Sequence, residues 1–232
     1  MGDPTLYGPA HSTMVSSARL ALLALDLPHD FVEPDLHRLD GARMTDMLPY
    51  FVSQPPTLLH DGLSLHDTEA ILLYIDAIGV ERETEVRGAT THSTLALQPA
   101  TPRLKALMWQ IMSLIRDHLQ PATIGGVVAQ RVFIPHLGGR PDVEKLTAAV
   151  VKQQDCLTLL EQLSYLCHDG NHADFLIDDQ PRLADLLLMP ILHHLMQTDL
   201  GPACLARSVR LSRWWLAMQK LEKLREGLPR LA

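Results

Sequence analysis

The sequence predicts a two-domain protein in which a small α/β domain precedes a larger all-α domain. Over the first 80 residues, short strand-like runs alternate with helical patterns in the order β-α-β-α-β-β-α. A polar stretch without clear periodicity follows, and beyond it every periodic segment is helical. We therefore place the α/β domain at residues 1–80, a linker at 81–100 and the helical domain at 101–232.

The α/β domain begins with a short strand, a helix and a second strand. The run Thr5–Tyr7 ends at Gly8-Pro9, which breaks regular structure. Apolar residues then recur at helical spacing from Met14 to Leu25. Phe31-Val32 predicts the next strand, and the polar residues 40–47 predict a weak helix or a loop.

A β-hairpin and a third helix complete this domain. Thr57–His60 and Leu63–Leu65 are strand-like and flank the turn Asp61-Gly62. Thr68 then begins a helix with apolar residues at helical spacing. The helical domain should contain segments from Pro102 to about Leu119 (ended by Gln120-Pro121), from about Val143 to Leu166, from Leu183 to Met196 (with Pro190 inside), and a last pair from about Ala206 to Arg225.

Charge and hydropathy exclude several function classes. Twenty Lys and Arg against 27 Asp and Glu give a net charge of −7, so no basic field attracts nucleic acid or an anionic membrane. The longest apolar stretches, such as Leu20–Leu25, are far shorter than the ~20 residues that cross a bilayer. We expect a cytoplasmic protein whose three cysteines, Cys156, Cys167 and Cys204, are buried and reduced.

No metal centre is expected, although the chain has 12 histidines. Cys167-His168 and His193-His194 lack two further ligands at the spacing of a tetrahedral site. The motifs of zinc proteases, nucleotide-binding loops and esterases do not occur either.

Ser12-Thr13 precedes the first helix and allows two interpretations. Hydroxyls at this position usually cap a helix. Alternatively, one hydroxyl donates to a ligand thiolate; such a bond is worth ~1.5–3 kcal/mol, which lowers a thiol pKa by roughly 1–2 units.

Two further segments also have a structural and a functional interpretation. Pro55-Pro56 is a turn into an edge strand, or it holds the cis-proline of a thioredoxin-like sheet, which turns the preceding backbone toward a peptide-like ligand. Asp67-Thr68 is an N-cap, or it binds a ligand carboxylate at the helix N-terminus.

The joint order of these segments resembles the cytosolic glutathione transferases, and bacterial members with a serine-type active site in particular. The resemblance implies a thioredoxin-like α/β domain followed by an all-α domain. It covers nearly the whole chain and lies in Leu6–Thr13, Arg19–Leu22, Pro56–Leu58, Asp61-Gly62, Asp67–Ile75, Gln130–Pro135 with Gly138-Gly139, Phe175–Asp179, Leu183–Asp185 before Pro190, and Arg213–Trp215.

The resemblance also implies roles for individual residues. Ser12 would stabilise the glutathione thiolate, with Thr13 as the nearby substitute and Tyr7 as the rival donor that more often packs. Pro56 would be the cis-proline. The other implied glutathione contacts are Gln54 and Pro55 at the cysteinyl and glycyl parts and Asp67 with Thr68 at the γ-glutamyl end. The electrophile would lie near Trp109, Met112 and Arg116.

Several positions depart from the family pattern. Pro55 replaces a valine whose N–H and C=O both pair with glutathione, and proline has no N–H. Ser16-Ser17 replace basic residues, and Asp67 is shorter than the usual acid. Other departures are Val52 for an aromatic residue, Ser53 for a glycine, and Arg182 for a Ser or Thr N-cap, where Asp179 or Gln180 could cap instead.

The resemblance predicts a homodimeric detoxification enzyme that joins glutathione thiolate to a small hydrophobic electrophile. Because of the departures, a catalytically weak or inactive binding or scaffold protein of the same fold is the alternative. A glutathione-dependent thiol reductase is a third hypothesis, which the lack of a cysteine near Ser12 opposes.

Overall fold

A computed structural model describes residues 2–33, 55–87, 96–168 and 173–228. The described residues divide into two compact units. The first takes the chain up to Leu97 and again from Glu222, and the second runs from Gln98 to Leu221. None of the helices in these ranges is both long and apolar enough to cross a membrane.

The first unit contains a four-stranded mixed sheet. Its strands are β1 (Thr5–Tyr7), β2 (Asp30–Val32), β3 (Thr57–His60) and β4 (Leu63–His66), in the spatial order β2-β1-β3-β4. β1 pairs in parallel with β2, whereas β1–β3 and β3–β4 are antiparallel. The predicted hairpin is therefore confirmed, whereas the helix or loop expected at 40–47 lies outside the described residues.

Two helices of this unit, α1 (Thr13–Ala24) and α2 (Thr68–Arg87), pack against each other. Their buried faces and the sheet form a core of completely or almost completely buried side chains that includes Leu6, Leu20, Leu58, Ile71 and Ile75. α2 is longer than expected, because residues 81–87, which the sequence assigns to the linker, continue the helix. Most of these residues are Glu or Arg, which are good helix formers, so the continued helix costs little even without an apolar stripe.

The C-terminal helix α9 (Glu222–Arg225) also belongs to the first unit. It packs against α1, with Leu224 buried and Lys223 paired with Asp26. The sequence analysis places these residues with the helical domain, whereas the structure places them beside α1.

The second unit is entirely helical within the described residues. A continuous helical run joins α3 (Pro102–Leu114), two π-helical segments and α4 (Ile134–His136). The π-helical segments are Ile115–Leu119 and Pro121–Phe133. The remaining helices are α5 (Val143–Cys167), α6 (Leu183–Met196), α7 (Gly201–Leu205) and α8 (Val209–Gln219).

The sequence predicts that Gln120-Pro121 ends the first helix of this unit, but the helical run continues through these two residues. The Gln120 N–H donates to the carbonyl of Ile115, five residues back, so the turns around the proline are wider than α-helical turns. The run then packs tightly on α5: a Cβ on Gly126 would lie 2.4 Å from the Cβ of Ala149. The run ends just before Gly138, whose φ is 76° and whose N–H donates to the carbonyl of Pro135 (2.9 Å), while the Gly139 N–H donates to the carbonyl of Ile134 (2.8 Å).

Asp185 on α6 organises the polar interior of the second unit. It is completely buried and accepts hydrogen bonds from the Leu176 N–H (2.8 Å), the Arg182 N–H (2.7 Å) and the Trp214 Nε1–H (2.7 Å). Burial raises the pKa of Asp185 to about 6, and the three donated bonds act against that rise. Arg182 is the N-cap residue of α6, and its backbone N–H donates to Asp185, so this cap uses neither Asp179 nor Gln180. The Arg182 guanidinium pairs with Asp178.

We expect Asp185→Ala to lower the free energy of unfolding by about 3 kcal/mol or more, because it leaves two buried N–H groups and one partly buried N–H group without an acceptor. The exposed Asp179→Ala is the matched control and should change stability by about 0.5 kcal/mol or less. Urea denaturation of both variants measures the difference. A loss below about 1 kcal/mol in Asp185→Ala would contradict the assigned role.

A second buried polar cluster surrounds Arg210. Its guanidinium donates to Ser164 Oγ (2.6 Å) and to the carbonyl of Phe175 (2.9 Å), and it also contacts His168 Nε2. His168 Nε2 faces the carbonyl of Leu176 as well, so it can serve only one of these two partners. Burial and the positive charge of Arg210 lower the pKa of His168 below 6.5.

The lowered pKa of His168 predicts a loss of stability in acid. The unfolded chain takes up a proton as the pH falls through 6.5 and the folded protein does so only at lower pH, so protonation favours unfolding. Asp185 has the opposite effect between pH 6 and 3.8, but His168→Asn retains Asp185. We expect wild type to lose stability relative to His168→Asn between pH 7 and 5 in urea denaturation, whereas an exposed control, His136→Asn, follows wild type. Parallel curves for wild type and His168→Asn would count against this prediction.

Candidate functional site

One end of the sheet brings together the segments that the sequence analysis singled out in the first unit. Strand pairing places Val32, Tyr7, Thr57 and His66 in a single row across β2, β1, β3 and β4. The chain leaves or enters the sheet next to each member of this row. The candidate site is therefore formed by the residues that follow Tyr7, precede Thr57 and follow His66.

The β1–α1 connection is a tight turn that ends at Ser12. The Ser12 N–H donates to the carbonyl of Pro9 (3.0 Å), which closes the turn. The Gly8 N–H donates to the carbonyl of Val32 (3.2 Å), and the Ala10 N–H donates to Glu33 Oε1 (2.8 Å). The end of β2 thus holds the turn at two points.

Ser12 caps α1, which agrees with the structural interpretation. Its backbone is extended and its Oγ accepts from the Val15 N–H (3.4 Å). A hydroxyl that accepts one bond still has its own proton to donate, and the Ser12 side chain is half-buried and so reachable. Thr13, by contrast, is only 4% exposed, and Tyr7 is half-buried at the end of β1.

Pro55 lies beside the same turn. The peptide bond between Pro55 and Pro56 is cis, as the sequence analysis expected for Pro56. A Cβ on Gly8 would lie 3.3 Å from the Pro55 Cβ and 2.4 Å from Val15 Cγ2, so Gly8 allows the two segments to approach. Pro55 itself is half-buried. Gln54, the other residue expected here, lies outside the described residues.

Asp67 caps α2 at the far side of the row. Its Oδ1 accepts from the N–H groups of Glu69 (2.9 Å) and Ala70 (3.3 Å) while the carboxylate remains exposed. The backbone of Asp67 has a φ of 78°, a conformation that residues other than glycine adopt at some energetic cost. Thr68 is buried, so Asp67 is the more accessible residue of the pair.

The two serines that replace basic residues after Ser12 face the interior. Ser16 and Ser17 are 2% and 0% exposed, and Ser17 Oγ donates to the carbonyl of Thr13 (3.0 Å). Arg19, further along α1, lies over the ring of Phe31 at 5.0 Å. The hydroxyls of Ser16 and Ser17 therefore serve the packing of α1 rather than the surface of the site.

The residues expected to contact an electrophile lie on the first helical run of the second unit. Trp109 and Arg116 are partly exposed, and the Arg116 guanidinium pairs with Asp117 (2.7 Å), which lowers the pKa of that carboxyl. Met112 is 0% exposed, which disagrees with its expected role. Its apolar side chain lies on the buried face of α3, and no part of it is exposed to contact a ligand.

Cysteine chemistry does not contribute to this site. Cys156, Cys167 and Cys204 are free and buried, as predicted, and burial raises the pKa of the Cys167 thiol to about 11. Within the described ranges, no group of three His, Cys, Asp or Glu side chains is placed to hold a metal ion.

Sequence reasoning missed Glu33. Its bond to the Ala10 N–H joins residues 23 positions apart, and no local sequence motif predicts this bond. The position at the end of β2 is the one signal that could have suggested proximity, since parallel neighbours end on the same side of a sheet.

No model of a protein family matches the chain, and no curated protein matches it. Solved structures of glutathione transferases do resemble it. Poplar glutathione transferase F1 is 21% identical with a TM-score of 0.76, over 98% of this chain and 97% of the poplar chain. A maize glutathione S-transferase I, in complex with an atrazine–glutathione conjugate, is 17% identical with a TM-score of 0.75, over 97% and 96%.

A theta-class glutathione S-transferase from Xanthomonas axonopodis pv. citri, solved with glutathione bound, is 16% identical with a TM-score of 0.73 over 100% of both chains. At these identities the likeness establishes the fold. The predicted fold class, a thioredoxin-like α/β domain followed by an all-α domain, is confirmed.

Proposed function

We propose that this protein is a glutathione transferase, which binds glutathione at the end of the sheet between Ser12, Pro55 and Asp67 and joins its thiolate to a small hydrophobic electrophile. The observation that carries the proposal is the state of Ser12. Its side chain is half-buried and reachable, its Oγ accepts from the Val15 N–H at 3.4 Å, and its proton remains available for a ligand.

Ser12 would lower the pKa of the glutathione thiol by donating that proton as a hydrogen bond. A bond to a charged acceptor contributes ~1.5–3 kcal/mol, enough to ionise a thiol of pKa near 8.5 around neutral pH. The N-terminus of α1 adds to this effect, since its first turn has no acidic residue to oppose the helix dipole. Thr13 and Tyr7 remain secondary donors, and Thr13 is the less accessible of the two.

The peptide part of glutathione would lie along Pro55, with Gln54 and the cis-proline Pro56 beside it. The Pro55 carbonyl can accept a hydrogen bond, but this residue has no N–H to donate. At the γ-glutamyl end, Asp67 has lone pairs left after its capping bonds and can accept from an ammonium group, and Thr68 adds its backbone N–H. The electrophile would meet Trp109 and Arg116.

A binding or scaffold protein of the same fold is the second candidate. Pro55 favours it, because one backbone bond to the ligand peptide is missing, and the buried Ser16 and Ser17 bring no positive charge toward a thiolate. We further propose, as the family resemblance implies, a cytoplasmic homodimer with a detoxification role; no metal, membrane or nucleic acid takes part in the proposed reaction.

Ser12→Ala tests the proposed thiolate donor. We expect glutathione to bind wild type and variant, with thiolate absorbance at neutral pH in wild type alone, in calorimetry and ultraviolet titration of the same samples. Removing the cap should also cost about 1 kcal/mol of stability. Ser208→Ala is the matched control, since Ser208 caps α8 by the same bond, from the Leu211 N–H (3.1 Å), and should lose stability without losing thiolate.

The outcomes of this experiment separate the two functions. Thiolate that persists in Ser12→Ala would transfer the role to Thr13 or Tyr7. Wild type that binds no glutathione at millimolar concentration would refute the transferase and favour the scaffold protein.

Pro55→Val should tighten glutathione binding. The valine supplies the missing backbone N–H, and one such bond corresponds to roughly 5- to 150-fold in Kd. Calorimetry measures the change, and Pro102→Ala, at the exposed first position of α3, is the control for a proline replacement outside the site. An unchanged Kd would mean that the ligand peptide does not pair with residue 55.

A further inference from the structure

The proton-donating group of the proposed site, the Ser12 hydroxyl, lies at the end of a turn in which one backbone N–H bonds to a residue outside the turn. In the turn from Pro9 to Ser12, the Ser12 N–H bonds to the Pro9 carbonyl, but the Ala10 N–H points out of the turn. The acceptor for that N–H is Glu33 Oε1 at 2.8 Å. A carboxylate acceptor makes this a charge-assisted bond, which is stronger than a bond between neutral groups.

Glu33 is well placed to act as an anchor. It directly follows Val32, whose carbonyl accepts from the Gly8 N–H at 3.2 Å and which pairs with Tyr7 in the sheet. The backbone of β2 thus holds the start of the turn, and the Glu33 side chain holds its middle. Ser12 lies two residues after Ala10, and its Oγ accepts the capping bond from the Val15 N–H. A change in the position of the turn should therefore also change this capping bond.

We propose that Glu33 is a positioning residue for Ser12. Its carboxylate fixes the turn so that the Ser12 hydroxyl is held both for the cap of α1 and for a ligand thiolate. The second half of this inference rests on the proposed transferase function; the first half, the anchoring of the turn, does not.

The negative charge of Glu33 has the opposite effect on a thiolate from the effect of its anchoring bond. A carboxylate near a thiolate disfavours ionisation, whereas a well-placed Ser12 favours it. Glu33→Gln removes the charge and keeps an acceptor oxygen for the Ala10 N–H. Glu33→Ala removes both, so a comparison of the two variants isolates the anchor.

The first arm of the test needs no ligand. Amide hydrogen exchange followed by NMR should show faster exchange at Ala10 and Val15 in Glu33→Ala, and near wild-type exchange in Glu33→Gln. Faster exchange at Val15 is the specific result, since its N–H is bonded to Ser12 Oγ rather than to Glu33. Unchanged exchange at Val15 in Glu33→Ala would overturn the proposal, even if Ala10 responds.

The second arm follows thiolate absorbance of bound glutathione against pH. We expect the thiolate fraction at pH 7 to be roughly 2- to 10-fold lower in Glu33→Ala than in Glu33→Gln, the ratio that one hydrogen bond is worth. Glu81→Ala, which removes an exposed charge on α2, should match wild type. Equal profiles for the two Glu33 variants would overturn the positioning role. Failure of wild type to bind glutathione would refute the proposed function, while the exchange arm would still decide whether Glu33 anchors Ser12.

Discussion

The register of β1 between its two neighbours is the constraint on which the candidate site depends. Tyr7 pairs with Val32 on one side and with Thr57 on the other, and Thr57 pairs with His66. A shift of one residue would turn Leu6 out of the core, so burial of this side chain, which is 0% exposed, fixes the register. Because β1 has only three residues, its fixed end also fixes the turn to Ser12 and the approach of Pro55.

The oxygens that cap α1 and α2 are the ones that the proposed function assigns to ligand binding. Ser12 Oγ and Asp67 Oδ1 each accept backbone N–H groups, which stabilises α1 and α2 by ~1 kcal/mol per cap. Those bonds also restrict the rotamers of the two side chains before any ligand arrives. A cap therefore does not compete with a binding role: a hydroxyl retains its proton, and a carboxylate retains lone pairs.

Local signals in the sequence were sufficient for part of the fold and failed where distant contacts decide. The Asp61-Gly62 hairpin and the start of α1 were predictable, because turn residues and apolar spacing act within a few positions. Pro121 gave a false helix end, since wider π-helical turns, in which the Gln120 N–H bonds to the Ile115 carbonyl, carry the run past the proline. The cap at Arg182 is local, since its acceptor Asp185 lies three residues further along inside the helix. The bonds of Asp185 to Trp214 and of Glu33 to Ala10 join residues distant in the sequence, and no local pattern indicates them.

The two strongest features of the site affect different steps of the proposed reaction. If glutathione pairs with residue 55 as proposed, the missing N–H of Pro55 weakens recognition of the ligand peptide by about 1–3 kcal/mol, which affects binding. In the proposed reaction, the Ser12 hydroxyl would contribute ~1.5–3 kcal/mol to the charged form of a thiol that is already bound, which affects ionisation. The free-energy loss on binding and the free-energy gain on ionisation are of similar size, but they do not cancel because they act on different steps. A transferase with this combination would need high glutathione concentrations and would retain its chemical step.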